Sequence, residues 1–171
     1  MTYSIVYCSR TGNTAKLADE IRELLPAQDC VYCGKPDQVG QEAEFIFAGF
    51  WTDKGTCSEE MKEFFQGLSG QKVFLFGTAG FGGSEEYFSR ILGNVAACIP
   101  ASCQVVGTFM CQGKMPEAVK RRYEAMLSGG ADEETIRGMM DNFERAKKHQ
   151  DEADLKMLGE MVKKAWGTGS R

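Results

Sequence analysis

At 171 residues, 43% of them hydrophobic and 26% charged, the chain has room for one well-packed core and is too apolar to be disordered. A formal charge of −4 speaks against nucleic acid as a partner, because affinity for a phosphate backbone is assembled from clustered Lys and Arg. Met1-Thr2-Tyr3-Ser4 lacks the basic and apolar regions of a secretory signal, and the densest apolar segment, Phe45 to Trp51, falls far short of the roughly 20 residues that cross a bilayer, so no membrane partner and a cytoplasmic location are expected.

The elements alternate along the chain. Tyr3 to Cys8 reads as a buried strand, and Leu17, Ala18, Ile21, Leu24 and Leu25 recur at helical spacing. A short strand follows near Cys30 to Cys33. Phe45 to Phe50 is the next strand, with Met61, Phe64, Phe65 and Leu68 marking the helix after it. Val73 to Phe76 is the next strand, ended by Gly77, and Phe88, Ile91, Leu92 and Val95 form the apolar face of its helix. Val105 to Met110 is the last strand, with a helix beyond Pro116 carrying Val119, Tyr123, Met126 and Leu127. Strands alternating with helices imply an open parallel sheet covered on both faces.

Past Ser128-Gly129-Gly130 the alternation stops. Ile136, Met139, Met140 and Phe143 mark one amphipathic helix, and Leu155, Leu158, Val162, Ala165 and Trp166 mark another, hinged at His149-Gln150-Asp151. The expectation is one α/β unit over residues 1–130 with a helical extension over 131–171 packed on it, one helix completing the core; a partner-docking or dimerisation surface is the sharper alternative. Seven cysteines, an odd number, fit reduced thiols better than a disulfide framework. Cys30-Val31-Tyr32-Cys33 is a lone CxxC without the two further ligands zinc needs, and it reads as strand-edge thiols. The single histidine, His149, lies in the hinge, so Cys8 and Cys111 have no base beside them. No catalytic triad and no metal cluster is expected.

Open parallel sheets bind ligands beyond the carboxyl ends of their strands, and three loops fall there. The first is Ser9-Arg10-Thr11-Gly12-Asn13-Thr14, directly between a strand and a helix. A helix N-terminus offers unpaired N–H groups and a partial positive charge, so a phosphate sits there without Lys. Hydroxyls at 9, 11 and 14 are candidate donors, and Gly12 lets the backbone curl round an anion. One helix cap needs one such residue, and the loop supplies four. The second loop is Gly49-Phe50-Trp51-Thr52-Asp53-Lys54-Gly55-Thr56 and the third Gly77-Thr78-Ala79-Gly80-Phe81-Gly82-Gly83. No G-x-G-x-x-G is present, and the Gly107 to Met115 stretch spaces its glycines wrongly for an ATP-binding loop.

SRTGNT after the first strand resembles the T/S-x-T-G-x-T phosphate loop of the flavodoxin family, and the similarity runs over roughly residues 3 to 127. That resemblance implies a five-stranded parallel sheet in the order 2-1-3-4-5 and bound FMN. It implies phosphate contacts from Ser9, Arg10, Thr11, Gly12, Asn13 and Thr14. It further implies ring contacts from Phe50, Trp51, Thr52, Asp53, Lys54 and Gly55, where Gly55 is the candidate for a peptide that turns toward the flavin N5, and from Thr78, Ala79, Gly80, Phe81 and Gly82. Only about ten residues separate the weak second strand from the Phe45 strand, so the usual helix between them is expected to be short or missing. Arg10, Lys54 and Lys114 are expected near the flavin where many relatives carry carboxylates, and Gln112 and Lys114 are expected on the same rim. The implied role is a one- or two-electron carrier between a reductase and a partner oxidoreductase, as a monomer or weak homodimer; the alternative is an NAD(P)H-dependent FMN enzyme reducing quinones or another small acceptor. The W-T-D-K-G loop and the C-Q-G-K-M turn also resemble short flavodoxin-like proteins of anaerobic gut bacteria, including the accessory type that serves bilirubin reductase, which implies a dedicated partner enzyme.

Overall fold

The computed structural model describes residues 1–169. Parallel strands β1 (Tyr3–Tyr7), β2 (Cys30–Gly34), β3 (Phe45–Trp51), β4 (Lys72–Ala79) and β5 (Gln104–Gln112) form one sheet in the order β2-β1-β3-β4-β5. Helices α1 (Asn13–Leu24), α2 (Glu59–Gln66), α3 (Glu85–Ala96), α4 (Glu117–Ser128), α5 (Glu133–Ala146) and α6 (Glu152–Gly169) complete the chain. This is the expected topology, and between β2 and β3 there is room only for a 3-10 turn, Gln38–Glu42.

Side chains along the strands alternate between two apolar faces, as burial on both sides requires. On one face Tyr3, Ile5, Phe45, Phe47, Phe74 and Phe76 pack against Leu17, Ala18 and Ile21 of α1 and Leu158, Val162 and Ala165 of α6. On the other, Val6, Ile46, Ala48, Phe50, Val73 and Leu75 meet Met61, Phe64 and Phe65 of α2 and Ile91 and Val95 of α3. A recurrent device fills the central strands: Gly49 lies opposite Phe76, Gly77 opposite Phe50 and Gly107 opposite Phe74. Each ring lies over its partner glycine, where a Cβ would come within 2.4, 2.4 and 2.7 Å of it.

That device corrects one boundary. Gly77 does not end β4; it accommodates the Phe50 ring, and pairing continues through Gly77↔Met110, Thr78↔Cys111 and Ala79↔Gln112. The third loop therefore begins at Gly80, and Cys111 and Gln112 belong to β5 rather than to a turn.

Of the two late helices, one completes the core, as expected, and the other packs elsewhere. α6 lies with α1 on the sheet, and Trp166 packs edge-on against Tyr3, centroids 5.3 Å apart. α5 instead pairs with α4: Tyr123, Ile136 and Phe143 make a small core of their own with Met115, Val119, Met139 and Met140 around it. The appended unit is thus the α4–α5 hairpin, and α6 is a core helix. Periodicity marks each helix as amphipathic but does not say which apolar stripe meets which.

Among the described residues no helix is long and apolar enough to cross a membrane. Replacing Gly49 by Ala drives a methyl within 2.4 Å of the Phe76 ring and 2.8 Å of Tyr7 Cβ, an overpacking expected to cost about 1–3 kcal/mol. Gly138→Ala, on an exposed face of α5 with open space around it, is expected to add about 0.5–1 kcal/mol. Urea denaturation of the two variants should move in opposite directions.

Candidate functional site

The order of the strands reverses between β1 and β3, which opens a crevice at their carboxyl ends. The loops after β1, β3 and β4 and the turn after β5 meet there around a cleft of about 500 Å³.

The loop after β1 turns into α1 through Gly12, whose φ of 92° lies in the left-handed region that glycine enters freely. A Cβ at Gly12 would have nothing within 4 Å, so the space beside it is open. Ser9 Oγ accepts from the N–H groups of Gly12 and Ala15, both at 3.2 Å, which holds the loop in its curl. The N–H groups of Thr11, Asn13 and Thr14 have no protein acceptor among the described residues, and they lie at the positive end of the α1 dipole. Thr14 departs from the expected role: its side chain is 1% exposed and its hydroxyl is paired with that of Thr78 at 3.0 Å. Of the three hydroxyls in the loop, those of Ser9 and Thr11 remain accessible from outside.

Two clamps fix this loop. Asn13 Nδ2 donates to the Lys114 carbonyl at 2.8 Å and to Thr11 Oγ1 at 3.2 Å, and the Asn13 carbonyl accepts from Gln150 Nε2 at 2.7 Å. The hinge before α6 therefore supports the first loop from beneath. His149, in the same hinge, is not a free solvent-exposed side chain; its Nδ1 lies 2.7 Å from Asp154 Oδ2. Asp151 and Asp154 in turn accept each other's N–H groups, at 2.9 and 3.1 Å, capping α6.

After β3 the chain is tied to β4. Thr52 donates its N–H and its hydroxyl to the Thr78 carbonyl, at 3.0 and 2.9 Å. Asp53 and Thr56 then exchange two backbone hydrogen bonds around Lys54 and Gly55, both at positive φ, 49° and 82°, the signature of a type I′ turn. The Gly55 carbonyl accepts from Asn94 Nδ2 at 2.9 Å, so α3 holds this peptide in place. Trp51 and Thr52 line the cleft, whereas Asp53, Lys54 and Gly55 lie in the turn beyond its lining. Phe50 is a core residue with no exposed surface, spent on covering Gly77. Alternation along β3 makes this the only outcome compatible with Trp51 facing the site.

Thr78, Ala79, Gly80 and Phe81 line the opposite side. Phe81 is 43% exposed, a large apolar ring left at the rim. Gly82 is outside the lining and packs on Gln112, which a Cβ would meet at 3.1 Å. The remaining wall comes from Lys114, Met115 and Pro116 in the turn after β5 and from Val119, Arg122 and Tyr123 of α4. These α4 contributions lay outside any motif; the Tyr123 apolar stripe predicted the helix but not its position over the cleft.

Arg10, Lys114 and Arg122 line the cleft, and no carboxylate among the described residues does. The Arg10 guanidinium sits over Trp51, 5.4 Å from the ring centroid. Burial pushes the Cys8 and Cys57 thiols up to about 11 and Cys111 higher still, so these sulfurs stay protonated near neutrality and are poor nucleophiles. The uncommitted N–H groups at α1, the open space beside Gly12 and the flanking rings Trp51 and Phe81 fit a phosphorylated aromatic ligand such as FMN.

Comparison with known proteins agrees with this geometry. Residues 4–163 match the flavodoxin domain family. The chain is 38% identical to the flavodoxin-like domain-containing protein BilS of Clostridium symbiosum (strain WAL-14163), covering 91% of this chain and 90% of that protein. It is 33% identical to the BilS protein of Clostridioides difficile (strain CD3), covering 88% of each. Among solved structures, oxidised flavodoxin 2 from Bacillus cereus superposes with a TM-score of 0.55 at 18% identity over 99% of both chains. The WrbA-like flavodoxin from Agrobacterium tumefaciens gives a TM-score of 0.54 at 13% identity, covering 97% of this chain and 98% of that one. The chain belongs to the flavodoxin family, as a member of the BilS type.

Two outcomes follow from the site geometry. Thr14→Val and Thr78→Val each strand a buried hydroxyl and are expected to cost about 1–2 kcal/mol. The double variant should cost less than their sum, with a coupling of about 1 kcal/mol in a denaturation cycle. The raised thiols give the second: folding favours their protonated forms, so their stabilising contribution is intact below the ordinary value of 9 and is lost as pH rises from 9 to about 11. Urea midpoints should be level from pH 7 to the upper 8s and fall above that, and Cys8→Ala with Cys57→Ala should soften the fall.

Proposed function

We propose that this protein binds FMN and carries electrons between a reductase and a dedicated partner oxidoreductase in the cytoplasm. The observation that supports this most is the cradle at α1, where the N–H groups of Thr11, Asn13 and Thr14 lack acceptors beside a cleft that Thr11 and Asn13 line together with Trp51 and Phe81. The FMN phosphate would be held by those three groups and by the Ser9 and Thr11 hydroxyls, without a lysine. Arg10 is the exception in a loop otherwise made of dipoles, and it adds charge at the rim. Trp51 and Phe81 would flank the ring, with Thr52, Thr78, Ala79 and Gly80 at its edges and the Asp53-Lys54-Gly55 turn next to them. Bound FMN supplies one- and two-electron transfer; the chain supplies binding, orientation and tuning.

The tuning is written in the charges. Fully reduced flavin is anionic, and cations nearby favour an anion that carboxylates would oppose. Arg10, Lys114 and Arg122, with no acid in the cleft lining among the described residues, should therefore leave the second reduction step less strongly depressed than in a flavodoxin whose flavin is ringed by acids. A redox titration giving a very low second potential would contradict this. Carriers of this kind dock over small areas, below about 1,200 Å² of buried surface, which fits an exposed rim better than a deep interface.

One observation favours a second reading, an NAD(P)H-dependent FMN reductase of quinones or another small acceptor: α4 walls the cleft with Val119, Arg122 and Tyr123 and gives a second ligand something to rest on. The two readings separate in an anaerobic titration of the FMN-loaded protein with NADH or NADPH alone. The carrier reading predicts that the flavin stays oxidised until a reductase or dithionite is added; bleaching at a catalytic rate without a second protein would make the chain an enzyme.

A further inference from the structure

The α4–α5 hairpin is not needed to cover either face of the sheet, yet α5 reaches the site through one residue. Asn142 is 5% exposed on a helix face whose neighbours Ile136, Phe143 and Ala146 are apolar and buried. A primary amide in such surroundings is costly unless every group is paired. Its Nδ2 donates to the Gly80 carbonyl at 3.1 Å, and its Oδ1 accepts from Gln112 Nε2 at 2.9 Å. Gln112, the last residue of β5 and itself 7% exposed, donates to the same Gly80 carbonyl at 2.9 Å.

The three bonds form a closed triangle. Both lone pairs of the Gly80 oxygen are taken, and both hydrogens of the Gln112 amide are used. The Gly80–Phe81 peptide cannot rotate without breaking two buried hydrogen bonds. In a trans peptide the N–H points opposite to the carbonyl, so holding the Gly80 oxygen toward α5 aims the Phe81 N–H away from it. Glycine at 80 lets the loop come this close, because a Cβ there would meet Met115 at 2.8 Å.

We infer that Asn142, acting with Gln112, is a positioning residue for the flavin-facing loop: it fixes the Gly80–Phe81 peptide and thereby the backbone donor and ring edge the loop presents to the flavin. This rests on the FMN reading above. It gives the hairpin a task, since a helix remote from the phosphate cradle sets the geometry on the ring side and so the cofactor's affinity and potential.

Asn142→Leu removes both bonds at nearly constant volume, and Asp132→Ala serves as the comparison, because it removes only the N-terminal cap of α5, in which Asp132 Oδ2 accepts from Thr135 N–H at 2.9 Å. Three quantities are read: backbone 15N order parameters at Phe81 and Gly82 in the unliganded protein, the FMN dissociation constant, and the flavin reduction potentials. In Asn142→Leu, the order parameters at Phe81 and Gly82 should fall, FMN should bind about tenfold more weakly, and the potentials should shift. Asp132→Ala should lower the melting temperature while leaving all three readings at wild-type values. If the wild-type protein binds FMN and Asn142→Leu matches it in affinity, potential and order parameters, the inference alone is overturned, as it is if Asp132→Ala produces the same losses. If the wild-type protein does not take up FMN, the functional reading falls and this inference falls with it.

Discussion

The site hangs on Thr78. Its hydroxyl pairs with that of Thr14 at 3.0 Å in a fully buried contact, and its carbonyl takes both the N–H and the hydroxyl of Thr52. One residue near the end of β4 thus joins the loop after β1 to the loop after β3, two positions before the third loop begins. Hydrogen bonds of this kind are each worth only about 1 kcal/mol net, but leaving one of these groups unpaired in the interior carries the larger desolvation penalty. That asymmetry makes the three loops one rigid assembly, and rigidity is what lets a backbone cradle hold an anion without moving to meet it.

On the FMN reading, an acidic chain would need such a cradle to hold the phosphate. With a net charge of −4, the protein would gain little from long-range attraction of anions and would rely on dipoles aimed at close range. Arg10, Lys114 and Arg122 line the cleft that Trp51 and Phe81 also line, where on the FMN reading they would bear on redox energetics. A division of labour between neutral donors for the phosphate and cations for the ring would fit both the packing of Arg10 on Trp51 and the lack of acceptors at the Thr11, Asn13 and Thr14 amides.

Much of this was legible in the residues. Short apolar runs and 3.6-period stripes indicate the order of strands and helices, and SRTGNT announced its loop because four capping-type residues exceed what one helix needs. What escaped has identifiable causes. Phe50 reads as a ring contact from its place in the loop, but alternation turns it into the core, onto Gly77. Gly77 reads as a strand end because it opens the glycine-rich stretch GTAGFGG; a cross-strand aromatic ring reverses that meaning. Thr14 fits the phosphate motif, yet its hydroxyl is captured by Thr78, a partner 64 residues away that no local pattern reveals. The hairpin of α4 with α5 and the reach of Asn142 to Gly80 depend on tertiary packing alone, which amphipathicity leaves undetermined.

The central claim, that the α1 N-terminus holds the phosphate of a flavin mononucleotide, is tested most directly by following backbone amide resonances while titrating the unliganded protein with FMN and, separately, with riboflavin. The account predicts tight FMN binding with large shifts at Thr11, Asn13 and Thr14, and with riboflavin much weaker binding and no comparable shifts at these three amides. Equal affinity for the two flavins, or FMN binding that leaves those amides unmoved, would contradict it.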